Sequence, residues 1–161
     1  MSVRVLTKNI DVIKAASEES SQNKVILAHG ENNIGLHDLG FTEALARKYP
    51  ENGKKFEKDC KLKLVDLGDI SWFEKGNLVI ANCIAQNGIR SKYNLNPFDY
   101  DAFKLSMKKL EEYALKYNVN KIYMPKIGSG LAGGSWNKIY DIIEDVFLTS
   151  EGSFEVIIGY L

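Results

Sequence analysis

Apolar residues fall along this chain in short continuous runs and in longer stripes at helical spacing, and the two kinds alternate. Runs at residues 3–6, 25–28, 78–83, 121–124 and 154–160 predict strands, because strands covered by helices on both faces are apolar at nearly every position. Residues 61–65 and 69–73 predict two more, with residues 74–77 as the turn leading into the run at 78. Phe41, Ala44, Leu45 and Lys48 share one side of a helix that Pro50 stops. Asp99 is placed to N-cap a long helix whose stripe of Phe103, Met107, Leu110, Ala114 and Tyr117 keeps a period of 3.6. Trp136, Ile139, Ile143 and Val146 mark a further helix. This alternation predicts an α/β fold, a three-layer αβα sandwich with a mixed, mainly parallel central sheet of about six strands.

Composition narrows the class. At 161 residues and 45% apolar the chain can fill one core. Acidic and basic residues balance at 21 each, so nothing favours nucleic acid as the partner, and phosphate binding is expected to be local. The apolar runs are too short for a membrane span, and residues 1–4 open no signal-peptide core. Cys60 and Cys83 form neither a metal spacing nor a disulfide framework, so a reducing cytoplasm and a site without metal are expected.

The segment from Met124 to Trp136, Met-Pro-Lys-Ile-Gly-Ser-Gly-Leu-Ala-Gly-Gly-Ser-Trp, carries the chemistry. A strand that turns through glycines into a helix aims backbone N–H groups and the positive end of a helix dipole at one spot, which suits a phosphate. A ligand-free tight turn is the plainer reading of the same glycines. A P-loop would need Lys-Ser or Lys-Thr after the glycines, and a dinucleotide fingerprint belongs at the first strand with an acidic residue about 20 positions on. Neither fits a loop this late in the chain.

The loop resembles the second phosphate-binding loop of macro domains, which bind ADP-ribose. Ile127–Gly128–Ser129–Gly130–Leu131–Ala132–Gly133–Gly134-x-Trp136 is close to the form in a branch of phage and bacterial proteins labelled ADP-ribose 1''-phosphate phosphatases, and of terminal ADP-ribose glutamyl hydrolases. Other landmarks follow in order: Ala28–His29, Asn32, Gly35-x-x-x-x-Gly40–Phe41, Gly68–Asp69–Ile70, residues 81–89, and Tyr100–Asp101. The resemblance covers nearly the whole chain and implies a single macro domain over residues 1–161, a monomer that takes a small-molecule ADP-ribose derivative and needs no cofactor.

Residue roles are carried over on that resemblance. Gly128, Ser129, Gly130, Leu131, Ala132 and Gly133, led by Ile127, would wrap the diphosphate and proximal ribose. Ser135 stands where the branch has Asp, and capping the following helix is its expected role. Asn9 takes the position of the Asp that receives the adenine amino group, beside Ile10. Asp11 could substitute after a small shift of register, and both readings stay open. Asn32 would bind the distal ribose, and Gly35, Gly40 and Phe41 belong to the first loop. His29 would orient or deprotonate water, against the plainer reading of a buried histidine hydrogen-bonded across the sheet.

The first loop departs from the pattern: Asp38 stands where relatives carry glycine. A carboxylate about 4 Å from a phosphate charge costs on the order of 4 kcal/mol at an effective dielectric near 20. Asp38 therefore points away, weakens binding, or serves catalysis with His29 or His37. Glutamyl hydrolase chemistry requires a lysine near Asn82 and an aspartate at Ala132, and this chain has neither. Hydrolysis of ADP-ribose 1''-phosphate is the specific reaction the resemblance implies. The alternative is a non-catalytic module that reads or sequesters ADP-ribose-type signals.

Overall fold

The computed structural model describes residues 2–37, 40–130 and 132–160. Six strands form one sheet in the order β1-β6-β5-β2-β4-β3, with β1 Val3–Lys8, β2 Val25–Asn32, β3 Ile70–Lys75, β4 Leu78–Gln86, β5 Lys121–Pro125 and β6 Phe154–Gly159. Every neighbouring pair is parallel except β3 with β4 at one edge. The helices are α1 Val12–Glu19, α2 Phe41–Lys48, α3 Pro50–Lys61, α4 Tyr100–Lys116 and α5 Trp136–Leu148.

Alternation along the strands divides the core in two. Ile26, Ala28, Val79, Ala81, Ile122 and Val156 point to the face covered by α4 and α5. Val25, Leu27, Ile80, Tyr123 and Ile157 point to the opposite face, where Val12, Ile13 and Ala16 of α1 and Leu45 of α2 pack. Strands buried on both faces explain the continuous apolar runs. The fold is the expected three-layer αβα sandwich, with a six-stranded, mostly parallel sheet.

Several elements differ from expectation. Pro50 ends α2 but also opens α3 at its first turn, where its missing N–H costs nothing. Residues 61–65 are not a strand: α3 runs to Lys61, Lys63 turns the chain at φ 56°, and Leu62 and Leu64 are exposed. The polar surface of α1 hid a short helix that Asp11 caps. The stripe on α4 is buried through Ala114, whereas Tyr117 lies at the helix end and is half exposed. Ser135 occupies the N-cap position of α5 without a side-chain cap bond, and its N–H instead donates to the Tyr100 hydroxyl at 2.8 Å.

Phe103 is fully buried between α4 and the sheet. Phe103→Ala is expected to lower unfolding free energy by about 3–5 kcal/mol in urea titrations.

Candidate functional site

A cleft of about 470 Å³ opens where the C-terminal ends of β5 and β6 meet the N-terminal ends of α1 and α2. Its floor includes Pro125 and Gly159, one wall runs from Ile10 to Ile13, and Gly40, Phe41 and Ala44 form the other. Lys126 and Tyr160 complete the lining. Parallel α/β sheets place ligands at this edge, because strand ends and helix N-termini converge there.

Asp11 sits in extended conformation at the head of α1, and its Oδ1 accepts from the N–H groups of Ile13 at 3.0 Å and Lys14 at 3.2 Å. Both cap bonds use one oxygen, so Oδ2 keeps acceptor capacity beside the cleft. Asn9 does not line the cleft. Between the two positions left open by the sequence, the structure brings Asp11 to the site. Gly40, at φ 61°, is the N-cap of α2 and supplies no side-chain acceptor of its own.

The glycine loop begins at Lys126 on the rim, but its members do different work. Ile127 is a core residue, and a Cβ on Gly30 would come within 2.9 Å of it. Gly128 has φ 72°, and a Cβ there would lie 2.3 Å from Phe98; Gly133, at φ 78°, is pressed against Asn96 in the same way. Gly128 accepts from the Gly134 N–H at 2.8 Å, and Ala132 accepts from the Phe98 N–H at 3.1 Å. Ser129 turns its hydroxyl onto the Lys126 carbonyl. Gly130 alone in this loop has open space where a side chain would be and an ordinary φ. Of the loop's described glycines, it is the one through which another molecule can approach the backbone closely. None of residues 127–130, 132 and 133 is part of the cleft lining itself. Asp38 and Leu131 lie outside the described residues.

His29 is placed in the interior. Its ring lies under Phe41, at 5.4 Å between centroids, and Nε2–H donates to Asn82 Oδ1 at 2.6 Å. Asn82 Nδ2 in turn donates to Asn52 Oδ1 at 2.8 Å and to the Ser71 carbonyl at 2.9 Å, while the Ser71 hydroxyl donates to Asp59. Burial depresses the imidazole to about 3, against the pull of the Asn82 bond, so it is neutral at physiological pH. This arrangement is the buried cross-sheet histidine of the plainer reading. Asn32 also turns inward: Nδ2 donates to the Leu36 carbonyl at 2.9 Å, and Oδ1 accepts from the N–H groups of Ile34 and Leu36. The side chain expected on the distal ribose is thus spent on its own loop. Gly35, at φ 81°, packs against Cys60 of α3 rather than the cleft.

Glu31 and His37 form a second buried polar pair. They are hydrogen-bonded through Oε2 and Nδ1, and burial raises the Glu31 carboxyl to about 7 although His37 pulls it down. The sequence carried one signal, polar residues at alternate positions directly following Val25 and Leu27.

Fold and cleft together define a mostly parallel α/β domain with a cleft at its strand ends. A family model described as Macro domain matches residues 28–143, and the chain belongs to the macro domain family. It is similar to an uncharacterized 17.5 kDa protein of Enterobacteria phage T4, with 30% identity over 140 residues, 82% of this chain and 83% of the relative. It is 24% identical over 126 residues to a DNA ADP-ribosyl glycohydrolase of Thermus aquaticus, covering 78% of this chain but only 35% of that longer protein. A solved Bacteroides thetaiotaomicron protein of unknown function superposes at a TM-score of 0.86 with 27% identity over 100% of both chains. Among the described residues, no helix is long and apolar enough to cross a membrane.

Two outcomes follow. Gly128→Ala should cost about 2–4 kcal/mol in urea unfolding through backbone strain and overpacking, whereas Gly130→Ala should change stability by less than about 0.5 kcal/mol. His29 is neutral in the fold and titrates near 6.5 unfolded, so the stability it contributes is complete above about 6.5 and lost as pH falls towards about 3. Against a His29→Gln variant, wild-type unfolding free energy should therefore decline over that window; parallel pH profiles would contradict this.

Proposed function

We propose that the cleft binds ADP-ribose or a derivative of it, the adenine end at Asp11 and the diphosphate at the N-terminus of α2 and the exposed backbone of Gly130. The observation that carries this reading is the convergence of Asp11, the N-terminus of α2 and Lys126 on one cleft at the strand ends. An acceptor oxygen suits an exocyclic amine, and the positive end of a helix dipole with a nearby ammonium suits phosphate oxygens. Membership in the macro domain family supports the same ligand class, as does the name of the Thermus relative. The motif at residues 127–136 aligns the chain with the phosphatase-like branch that includes phage proteins. On this reading the protein is a monomer, acts in the cytoplasm and takes a small molecule rather than nucleic acid.

Hydrolysis of ADP-ribose 1''-phosphate to ADP-ribose and phosphate is the finer activity. It requires a group that orients or deprotonates water. His29, one of the two candidates, is buried under Phe41 with its Nε2–H engaged by Asn82, and Asp38, the other, lies outside the described residues. The burial of His29 favours the alternative, a non-catalytic binding module.

Calorimetry with ADP-ribose should give saturable one-to-one binding, weaker with AMP or ribose 5-phosphate alone. Asp11→Asn keeps the helix cap and removes the charged acceptor, so affinity should fall about 5–50-fold with stability nearly unchanged. No heat at millimolar ADP-ribose would contradict the proposal. Phosphate release from ADP-ribose 1''-phosphate that disappears in His29→Ala while binding persists would establish the hydrolase instead.

A further inference from the structure

The connection from β2 to α2 supplies one wall of the cleft through Gly40 and Phe41, yet its fastenings lie elsewhere. Glu31 continues the face of β2 that carries Val25, Leu27 and His29, and its side chain is only 2% exposed, as is that of His37. Neither lines the cleft. His37 packs at a tilt against Phe56 of α3, at 5.5 Å between ring centroids, and meets His29 edge-on at 6.1 Å. Helix α3 is built around the ring: a Cβ on Gly53 would fall 2.8 Å from His37 Cδ2. Glycine inside a helix is destabilising relative to alanine, and the seat of this ring accounts for its presence. Asn32 ties the backbone of residues 34 and 36 to the end of β2, and Gly35 rests on Cys60, so the segment is fastened at several points although the Ile34 and Leu36 side chains are exposed.

Replacing a buried ionisable pair by apolar groups of similar volume often leaves a fold as stable or more so. Stability alone does not explain Glu31 and His37. A directed hydrogen bond fixes one orientation of the ring and the path of the chain behind it, which an apolar pair cannot do. We propose that Glu31 and His37 are positioning residues of the candidate site: their buried hydrogen bond fixes residues 33–37 and, through the contacts of the His37 ring with His29 and of His29 with Phe41, the place of Phe41 in the wall of the cleft. The inference rests on the ADP-ribose reading of that cleft.

Three variants test it by ADP-ribose calorimetry, thermal unfolding and ligand-free amide hydrogen exchange over residues 33–37. The apolar pair Glu31→Leu/His37→Phe should melt near wild type, exchange about tenfold faster at residues 33–37 and bind about tenfold more weakly. Glu31→Gln keeps an acceptor for His37 and should retain wild-type exchange and affinity within about threefold. Gly53→Ala favours the helix but pushes on the ring, so it should reproduce the faster exchange and weaker binding, and it decides the matter if the double variant does not fold. Wild-type exchange and affinity in a folded double variant, or in Gly53→Ala, overturn the proposal, as does a loss in Glu31→Gln equal to that of the apolar pair. If the wild-type protein takes up no ADP-ribose, the cleft reading fails by itself, and exchange at residues 33–37 then decides the clamp.

Discussion

Five strands running the same way, β1, β6, β5, β2 and β4, send every one of their exits to a single edge of the sheet. That arrangement requires crossover helices, and helices on both faces require strands that are apolar throughout. The cleft follows directly. After β1 the chain enters α1 through Asp11, and after β2 it enters α2 through Gly40, so two helix N-termini open onto the ends of β5 and β6. No special segment was needed to make a concave site at that edge.

The layer around α3 is held differently. This helix docks largely through polar groups: Asn52 and Asn82 exchange amide hydrogen bonds, and Asp59 accepts from Ser71 while pairing with Lys55. Phe56 is its one large apolar anchor. Buried polar groups that find partners specify one arrangement more sharply than apolar contact does, because a shifted register leaves donors and acceptors unpaired. His29 Nδ1 and His37 Nε2 are the buried side-chain atoms without a partner among the described residues, and both belong to rings that bear on the first loop. The interior beneath Phe41 is thus an ordered polar layer supporting the cleft rather than part of its surface.

What the sequence revealed and concealed follows the same division. Elements buried by apolar residues, such as the strands around Leu27, Ile80 and Ile122 and the helices of Met107 and Ile143, were legible because their periods were intact. Helix α3 was invisible because its buried face is Asn52, Gly53, Phe56 and Asp59, which reads as a loop. The alternation of residues 61–65 imitated a strand although Leu62 and Leu64 face solvent. At the site, motif order pointed to the start of α2 but left Asp11 open against Asn9. The inward roles of Asn32 and His29 could not be read from it, since an amide or imidazole at a strand end looks the same whether it faces a ligand or Asn82. Gly128 and Gly133 illustrate a related ambiguity: both satisfy a phosphate-loop pattern, yet each is required locally by contact with Phe98 or Asn96.

The central claim is that an ADP-ribose-type ligand lies in the cleft between the heads of α1 and α2. Backbone amide shifts recorded on titration with ADP-ribose test it most directly. The account predicts saturable shifts concentrated at Asp11, Phe41, Lys126, Gly130 and Tyr160, with the amides of α4 and β3 unmoved. Shifts confined to another surface, or none at saturating ligand, would contradict it.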